Sequence, residues 1–343
     1  MSARIGLLGS KGTTLDFLAA FEAETGHGIT HLFTLSDQSA SAGAVAFYSR
    51  DAILAAARGL ETHEIRSYTL ADKTDRAAFA AAKLDVLFVI GWERLVPPAV
   101  LTAVKYGAYG MHGSAYGLPR GRGRSPLNWS ILQGHRHFVT SLFRYSAGVD
   151  DGDILDSQVF SITDRDDIGV LHLKNRIAML KLAGRHLPRI LHGSAVHVPQ
   201  PDEPPSFYPK RTPDDGAIDW SRSTEEVDRL VRAVAPPYPG AFCGHRGGRI
   251  VIVSGQPFDP AMFASSAAPG TILDVSPSMN MFVVKTGDGS YLVRSHQGEA
   301  VTSADRGAIL ESSATRWTQE LLAERYGPGQ PPEQWEVRPE RKP

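Results

Sequence analysis

Apolar positions along the amino-terminal half of the chain switch repeatedly between two spacings. Residues 4–9 form a short apolar run that closes on glycine, and 13–21 carry Leu15, Leu18 and Phe21 at helical spacing. A strand, a tight turn and a helix are therefore expected. The apolar run at 29–35, the alanine-rich stretch at 52–60 and the run at 84–91 continue the alternation, which predicts a parallel sheet with helices on both faces. Leu84, Val86, Leu87, Phe88, Val89 and Ile90 leave no polar face, as a central strand buried on both sides requires. A short helix reaching residue 104 and a strand over 108–111 follow. Pro126 suits the first turn of a helix over PLNWSILQG, with Gly134 just past its end, and a strand is expected over 139–145. Leu173, Ile177, Leu180, Leu187 and Leu191 trace a stripe along 168–191, which predicts a long helix packed on the core through that stripe.

The pattern changes beyond residue 197. Residues 198–213 are proline-rich and polar and read as a linker. A helix is expected over 225–235, with Val227, Leu230 and Val234 on one face. Short β-like runs at 250–254, 270–275, 281–285 and 291–295, with turns such as Asp288-Gly289 between them, suggest a small barrel or sandwich. A terminal helix over 318–326 and a fraying tail over 328–343 complete the reading. The expected organisation is a doubly wound, mostly parallel α/β domain over 1–197, the linker over 198–213, and a smaller β-barrel-like domain over 214–327.

Charge narrows the partners. The 343 residues hold 36 Lys and Arg against 37 Asp and Glu, so no bulk attraction to nucleic acid or an anionic membrane is expected. The opening MSARIGLLGS lacks the basic and apolar regions of a signal peptide, and no apolar run approaches the roughly 18 residues of a membrane span. A cytoplasmic location is the expectation. Cys243 is the only cysteine, which excludes an intrachain disulfide and suits a reducing compartment; its thiol is read as inert.

The common catalytic templates are absent. No HExxH, no paired CxxC, no Walker lysine loop and no GxSxG elbow occurs, and Gly6, Gly9 and Gly12 do not make a dinucleotide fingerprint. His135 and His137 flank Arg136 and read as solvated loop histidines, so no metal is expected. Two residues stand out instead. His112 follows the 108–111 strand and Asp150 lies in the loop after the 139–145 strand, each with a glycine nearby, and both would sit at one edge of the sheet. A neutral imidazole there can take a proton near pH 7, and a carboxylate within reach can orient it.

The wording around this pair is more specific. His112-Gly113-Ser114, Leu118-Pro119, Arg122-Gly123-Arg124-Ser125-Pro126-Leu127-Asn128-Trp129 and Asp150-Asp151-Gly152-Asp153-Ile154 together resemble the 10-formyltetrahydrofolate-dependent formyltransferase family, of the two-domain methionyl-tRNA and sugar N-formyltransferase type. Gly91-Trp92-Glu93-Arg94-Leu95 is similar to its folate-binding loop, and 211–220 and 231–242 resemble the start of its carboxyl-terminal domain. The resemblance implies a Rossmann-like formyltransferase domain, 10-formyltetrahydrofolate as co-substrate and no metal. It implies that His112 and Asp150 act on the attacking amine and the oxyanion, with Gly91, Trp92, Arg94, Leu95 and Asp150 around the folate. Gly9, Ser10, Lys11, Tyr116, Arg120 and Arg124 are the residues expected to face the acceptor. The family carries an asparagine two residues before the histidine, as a donor to the oxyanion; here that position is Gly110, and Ser114 or a backbone amide near Gly113 are the substitutes to consider.

Residues 205–343 carry 15 basic against 17 acidic side chains, which argues against a tRNA acceptor. The expected activity is therefore N-formylation of a small amine, first a nucleotide-linked amino sugar. A folate-binding homologue, a 10-formyltetrahydrofolate hydrolase and a methionyl-tRNA formyltransferase are the alternatives, and a homodimer is left open.

Overall fold

The computed structural model describes residues 3–42, 47–263 and 266–312. The chain divides into two compact units, one made of 1–122, 138–160 and 173–205 and the other of the remaining segments. The order of elements is β1 (Ile5–Leu8), α1 (Gly12–Thr25), β2 (His31–Leu35), α2 (Asp37–Ala42), α3 (Arg50–Ala56), β3 (Glu61–Ile65), α4 (Lys73–Ala82), β4 (Val86–Val89), α5 (Pro98–Leu101) and β5 (Ala108–Ser114). Then come β6 (Arg122–Gly123), α6 (Pro126–Leu132), β7 (His137–Arg144), β8 (Ile154–Ser161), α7 (Ile168–Leu191) and β9 (Phe207–Tyr208). The carboxyl-terminal elements are α8 (Thr224–Ala233), β10 (Ala241–His245), β11 (Gly248–Phe258), β12 (Ile272–Ser276), β13 (Met281–Lys285) and β14 (Ser290–Gly298).

The first unit is built on a seven-stranded sheet in the order β3-β2-β1-β4-β5-β7-β8. The first five strands run parallel and β7 joins β5 antiparallel, so this is the expected mixed, mostly parallel α/β architecture. Strand β4 occupies the middle, and its side chains divide between two cores. Val86 and Phe88 join Ile5, Leu7, Phe17, Phe21, Leu182 and Leu187 on one face, while Leu87 and Val89 join Leu8, Phe33, Phe79 and Trp92 on the other. That is why the run shows no polar period.

Several elements carry no such signal. Strand β3 reads Glu-Thr-His-Glu-Ile and is largely exposed at the sheet edge, so its apolar period is missing. Helix α4, strand β8 and strand β10 were likewise not expected. The stripe expected along α7 holds in part: Leu180 and Leu187 are buried and Leu191 packs on the same core, whereas Leu173 and Ile177 are 49% and 41% exposed, and the helix also buries Met179, Leu182, Ala183 and Ile190. Close approach to α1 adds small residues to this face: at Gly184 a Cβ would lie 2.8 Å from the Glu24 carbonyl oxygen, and Gly184 and the buried Ala183 are positions that a search for large apolar residues passes over. His112 lies within β5, which continues to Ser114, rather than after the strand.

In the second unit α6 begins at Pro126, and Gly134 follows it with φ of 72°, the left-handed conformation expected of a residue past a helix end. His135, expected in solvent, is buried and shares a hydrogen bond with Gln133 at 3.0 Å. Helix α8 is capped by Ser223 and Glu226 in a reciprocal box and buries Val227, Leu230 and Val231. The five strands form an antiparallel sheet in the order β10-β11-β14-β13-β12. Residues 308–311 run along both of its edges: Glu311 exchanges backbone hydrogen bonds with Gly244, while Ala308 and Leu310 bond Ile272 and Gly270. The sheet is thereby closed in the manner of a small barrel around Trp220, Ile250, Phe282 and Tyr291. The helix expected over 318–326 and the tail beyond it lie outside the described residues. Among the described residues no helix is long and apolar enough to cross a membrane.

Candidate active site

Strand alternation sends Gly110, His112 and Ser114 to one face of β5, with Phe143 and Ser141 of β7 directly opposite Gly110 and His112. The chain leaves β7 at Arg144 and turns back through a loop that carries Asp150. This brings the Asp150 carboxylate to 3.4 Å from His112 Nδ1, with the two side chains only 19% and 11% exposed. The other ring nitrogen, Nε2, lies 2.8 Å from the Gly121 carbonyl oxygen. A carbonyl only accepts, so Nε2 carries the hydrogen and Nδ1 is the nitrogen shared with Asp150. A proton taken up here is held between Nδ1 and the carboxylate.

The loop that presents Asp150 is held from below. Asp150 adopts φ of 50°, a left-handed conformation uncommon for a residue with a Cβ. Gln200 Nε2 donates to the backbone carbonyls of Asp150 at 2.7 Å and Gly152 at 2.9 Å, and Gln200 Oε1 accepts from Arg122 Nη2 at 2.6 Å. A Cβ at Gly152 would fall 1.7 Å from the Arg144 carbonyl oxygen, so only glycine lets the turn close this tightly. Burial lowers the Arg122 pKa, partly offset by the charges of Asp151 and Asp150. Gln200 was not singled out in the sequence, where it sits in a proline-rich stretch without a periodic pattern. Its only signal there is being an amide among prolines.

The other expected site residues fall into several places. Ser114 is fully buried; its hydroxyl donates to the Arg120 carbonyl at 2.7 Å and receives the Tyr116 amide, which fixes the 114–121 loop. Arg120 lies over the Tyr116 ring at 5.1 Å and pairs with Glu203 at 3.6 Å. Around the end of β4, Gly91 takes φ of 75° beside Thr13 and Thr14, and Trp92 is buried edge-to-face against Tyr68. Arg94 stacks over the Tyr68 ring at 4.6 Å, and Leu95 is 52% exposed. At the end of β1, Gly9 packs against the Ile90 carbonyl, Ser10 is buried, and the Lys11 ammonium pairs with Glu93. Arg124 belongs to the second unit, where its amide donates to the Tyr208 carbonyl. Among the described residues no group of three metal-ligating side chains is present.

Gly110 has a specific neighbour. A Cβ built there would lie 2.1 Å from Cε2 and 3.0 Å from Cζ of Tyr145, so the tyrosine ring fills the place of a side chain at 110. Tyr145 stacks on Phe143 with ring centres 5.4 Å apart. Burial, with the Asp150 charge, pushes its phenol above the ordinary tyrosine value.

Two family models match this chain. The one described as "Formyl transferase" covers residues 15–189, and the one described as "Formyl transferase, C-terminal domain" covers 210–311. The chain belongs to the formyl transferase family. The first span holds His112, Asp150, Gly110 and the 91–95 loop of this formyl transferase, whereas Gly9, Ser10, Lys11 and Gln200 lie outside both. Among solved structures, it is similar to HypX from Aquifex aeolicus in complex with tetrahydrofolic acid, at 18% identity and TM-score 0.61 over 86% of this chain and 44% of that one. The chain spans about half the length of the HypX chains it matches, 44–50%. It is also similar to the N-formyltransferase from Helicobacter canadensis in complex with folinic acid and dTDP-3-aminofucose, at 14% identity and TM-score 0.58 over 86% of this chain and 100% of that one. Methionyl-tRNA formyltransferase from Clostridium thermocellum matches at 16% identity and TM-score 0.50, over 74% of this chain and 93% of that one. At such identities the likeness is one of fold.

Proposed function

We propose that this chain is a cytoplasmic N-formyltransferase that moves the formyl group of 10-formyltetrahydrofolate to the amine of a small molecule, a nucleotide-linked amino sugar being the favoured acceptor. The observation that carries the reading is the pair formed at 3.4 Å by His112 of β5 and Asp150 of the loop after β7, inside the span that matches the formyl transferase model. The 91–95 loop suits a folate: it lies outside any helix or strand directly after β4, and it presents the half-exposed Leu95 and the Arg94 guanidinium stacked on Tyr68. Similar folds bound to tetrahydrofolic acid and to folinic acid with dTDP-3-aminofucose support the same choice of ligands.

When bound, 10-formyltetrahydrofolate supplies an electrophilic carbonyl carbon. The chain then has to remove a proton from the attacking amine, hold it, and stabilise charge on the formyl oxygen. Asp150 with His112 Nδ1 forms one proton-holding site, because Nε2 is already donated to Gly121. Gln200 and Arg122 hold the loop so that the carboxylate stays at that distance. A second reading, hydrolysis of the same donor with water in place of the amine, is kept because Gly110 departs from the asparagine expected of the family at that position.

The two readings separate in one assay. The protein is incubated with 10-formyltetrahydrofolate and dTDP- and UDP-linked amino sugars, hydroxyornithine, charged initiator tRNA, or no acceptor, and tetrahydrofolate and formylated product are followed. A formylated nucleotide sugar supports transfer, tetrahydrofolate released equally without any amine supports hydrolysis, and absence of both rejects the formyl-transfer reading.

A further inference from the structure

Stabilising the formyl oxygen requires a hydrogen-bond donor on the face of β5 that carries His112, and the obvious donors there are committed. The Nε2–H of His112 goes to Gly121, and the Ser114 hydroxyl goes to Arg120. Gly110 has no side chain, yet its φ is not positive, so the backbone does not call for glycine, and glycine weakens a strand. What excludes a side chain at 110 is the Tyr145 ring, whose Cε2 and Cζ lie 2.1 Å and 3.0 Å from the Cβ position. The phenol oxygen sits one bond beyond Cζ, so it reaches the space a polar side chain at 110 would occupy, two residues along the strand from His112 and on the same face. The hydroxyl makes no hydrogen bond to the described residues.

We propose that the Tyr145 hydroxyl is the donor to the formyl oxygen during transfer, and that Gly110 serves to admit its ring. This rests on the formyl-transfer reading above. The amine lone pair forms a C–N bond to the formyl carbon while the carbonyl π pair moves onto oxygen, which accepts the Tyr145 hydrogen bond. The amine proton passes to the Asp150–His112 site. Re-forming the carbonyl breaks the bond to N10, N10 takes that proton, and the products are a formamide and tetrahydrofolate. Tyr145 keeps its proton throughout, as its burial and the nearby Asp150 charge favour.

The test is Tyr145→Phe, which removes one oxygen and keeps the ring packing. With the best acceptor from the panel, kcat should fall by roughly 10²–10³-fold, the effect of losing one oxyanion donor. KM for 10-formyltetrahydrofolate, the Kd of folinic acid by calorimetry and Tm should barely move, because the hydroxyl acts only when charge develops. Tyr145→Ala opens the space, and Gly110→Asn in that background should regain roughly tenfold or more by supplying an amide donor. A kcat for Tyr145→Phe within about threefold of wild type overturns the proposal and leaves the transfer reading standing. Loss of folinic acid binding parallel to kcat also overturns it, since that marks a packing role. If the wild-type protein transfers formyl to no amine and to no water, the transfer reading and this proposal fall together.

Discussion

Replacing Gln200 by alanine tests how the catalytic carboxylate is held. The substitution removes the two donated hydrogen bonds to the Asp150 and Gly152 carbonyls and the acceptor for Arg122. Each neutral bond contributes about 1 kcal/mol, and the bond from the guanidinium about 1.5–3 kcal/mol. The first two act directly on Asp150, whose φ of 50° is an uncommon conformation that costs about 1–3 kcal/mol where nothing enforces it. Losing about 2 kcal/mol of enforcement lowers the equilibrium constant for the native loop conformation by roughly thirtyfold. With the best acceptor amine, kcat should therefore fall by up to roughly thirtyfold, while KM for 10-formyltetrahydrofolate moves far less. Amide hydrogen exchange across 148–153 should speed up by a similar factor, because the same two bonds oppose local opening. Arg122 loses its partner as well and lowers Tm, so exchange in α1 and β4 serves as the control for global destabilisation. A Gln200→Ala protein with wild-type kcat and unchanged exchange in 148–153 would refute the claim that this amide fixes Asp150.

Other consequences are independent of the acceptor. Phe88 is fully buried between Phe17, Phe21 and Tyr109, so Phe88→Ala should destabilise the first unit by about 3–5 kcal/mol, measured by urea unfolding. Asp288 accepts hydrogen bonds from the amide and hydroxyl of Thr224 at the start of α8, and the amide bond first of all holds its pKa below the usual value. A depressed carboxylate pKa stabilises the fold above the unfolded value, near 4, and that contribution is lost as pH falls through the folded value. Asp288→Ala should thus lower Tm at pH 7 and show a shrinking deficit below pH about 4 in melts across that range. Cys243 is buried, with its thiol pushed up to about 12 by burial, so it should resist alkylation at pH 8 until the protein is unfolded.

How much of this was legible in the sequence follows from which residues report on their surroundings. A strand buried on both faces, such as Val86–Val89, announces itself, because nothing polar can be placed in it. A mostly exposed edge strand such as β3 does not, since its polar side chains satisfy solvent rather than a core. Helix α7 was found with only part of its buried face: Leu180 and Leu187 hold, Leu173 and Ile177 do not, and Ala183 and Gly184 were passed over because they permit close packing without being strongly apolar. At the site, His112 and Asp150 stood out through their glycines and their expected places at strand ends, although His112 lies within β5. Gln200 and Tyr145 did not. Their importance comes from a contact 50 residues away in one case and from the space left by an absent side chain in the other, and neither leaves a local pattern.

The most direct test uses 10-formyltetrahydrofolate labelled with heavy carbon in the formyl group and a dTDP-linked amino sugar, with products read by mass spectrometry. Wild-type protein should place the labelled carbon on the sugar amine, and His112→Ala and Asp150→Ala proteins that melt like the wild type should not. Label transferred at the wild-type rate by either variant would contradict the assignment of the catalytic pair, and label found only as formate would replace the amine with water as the acceptor.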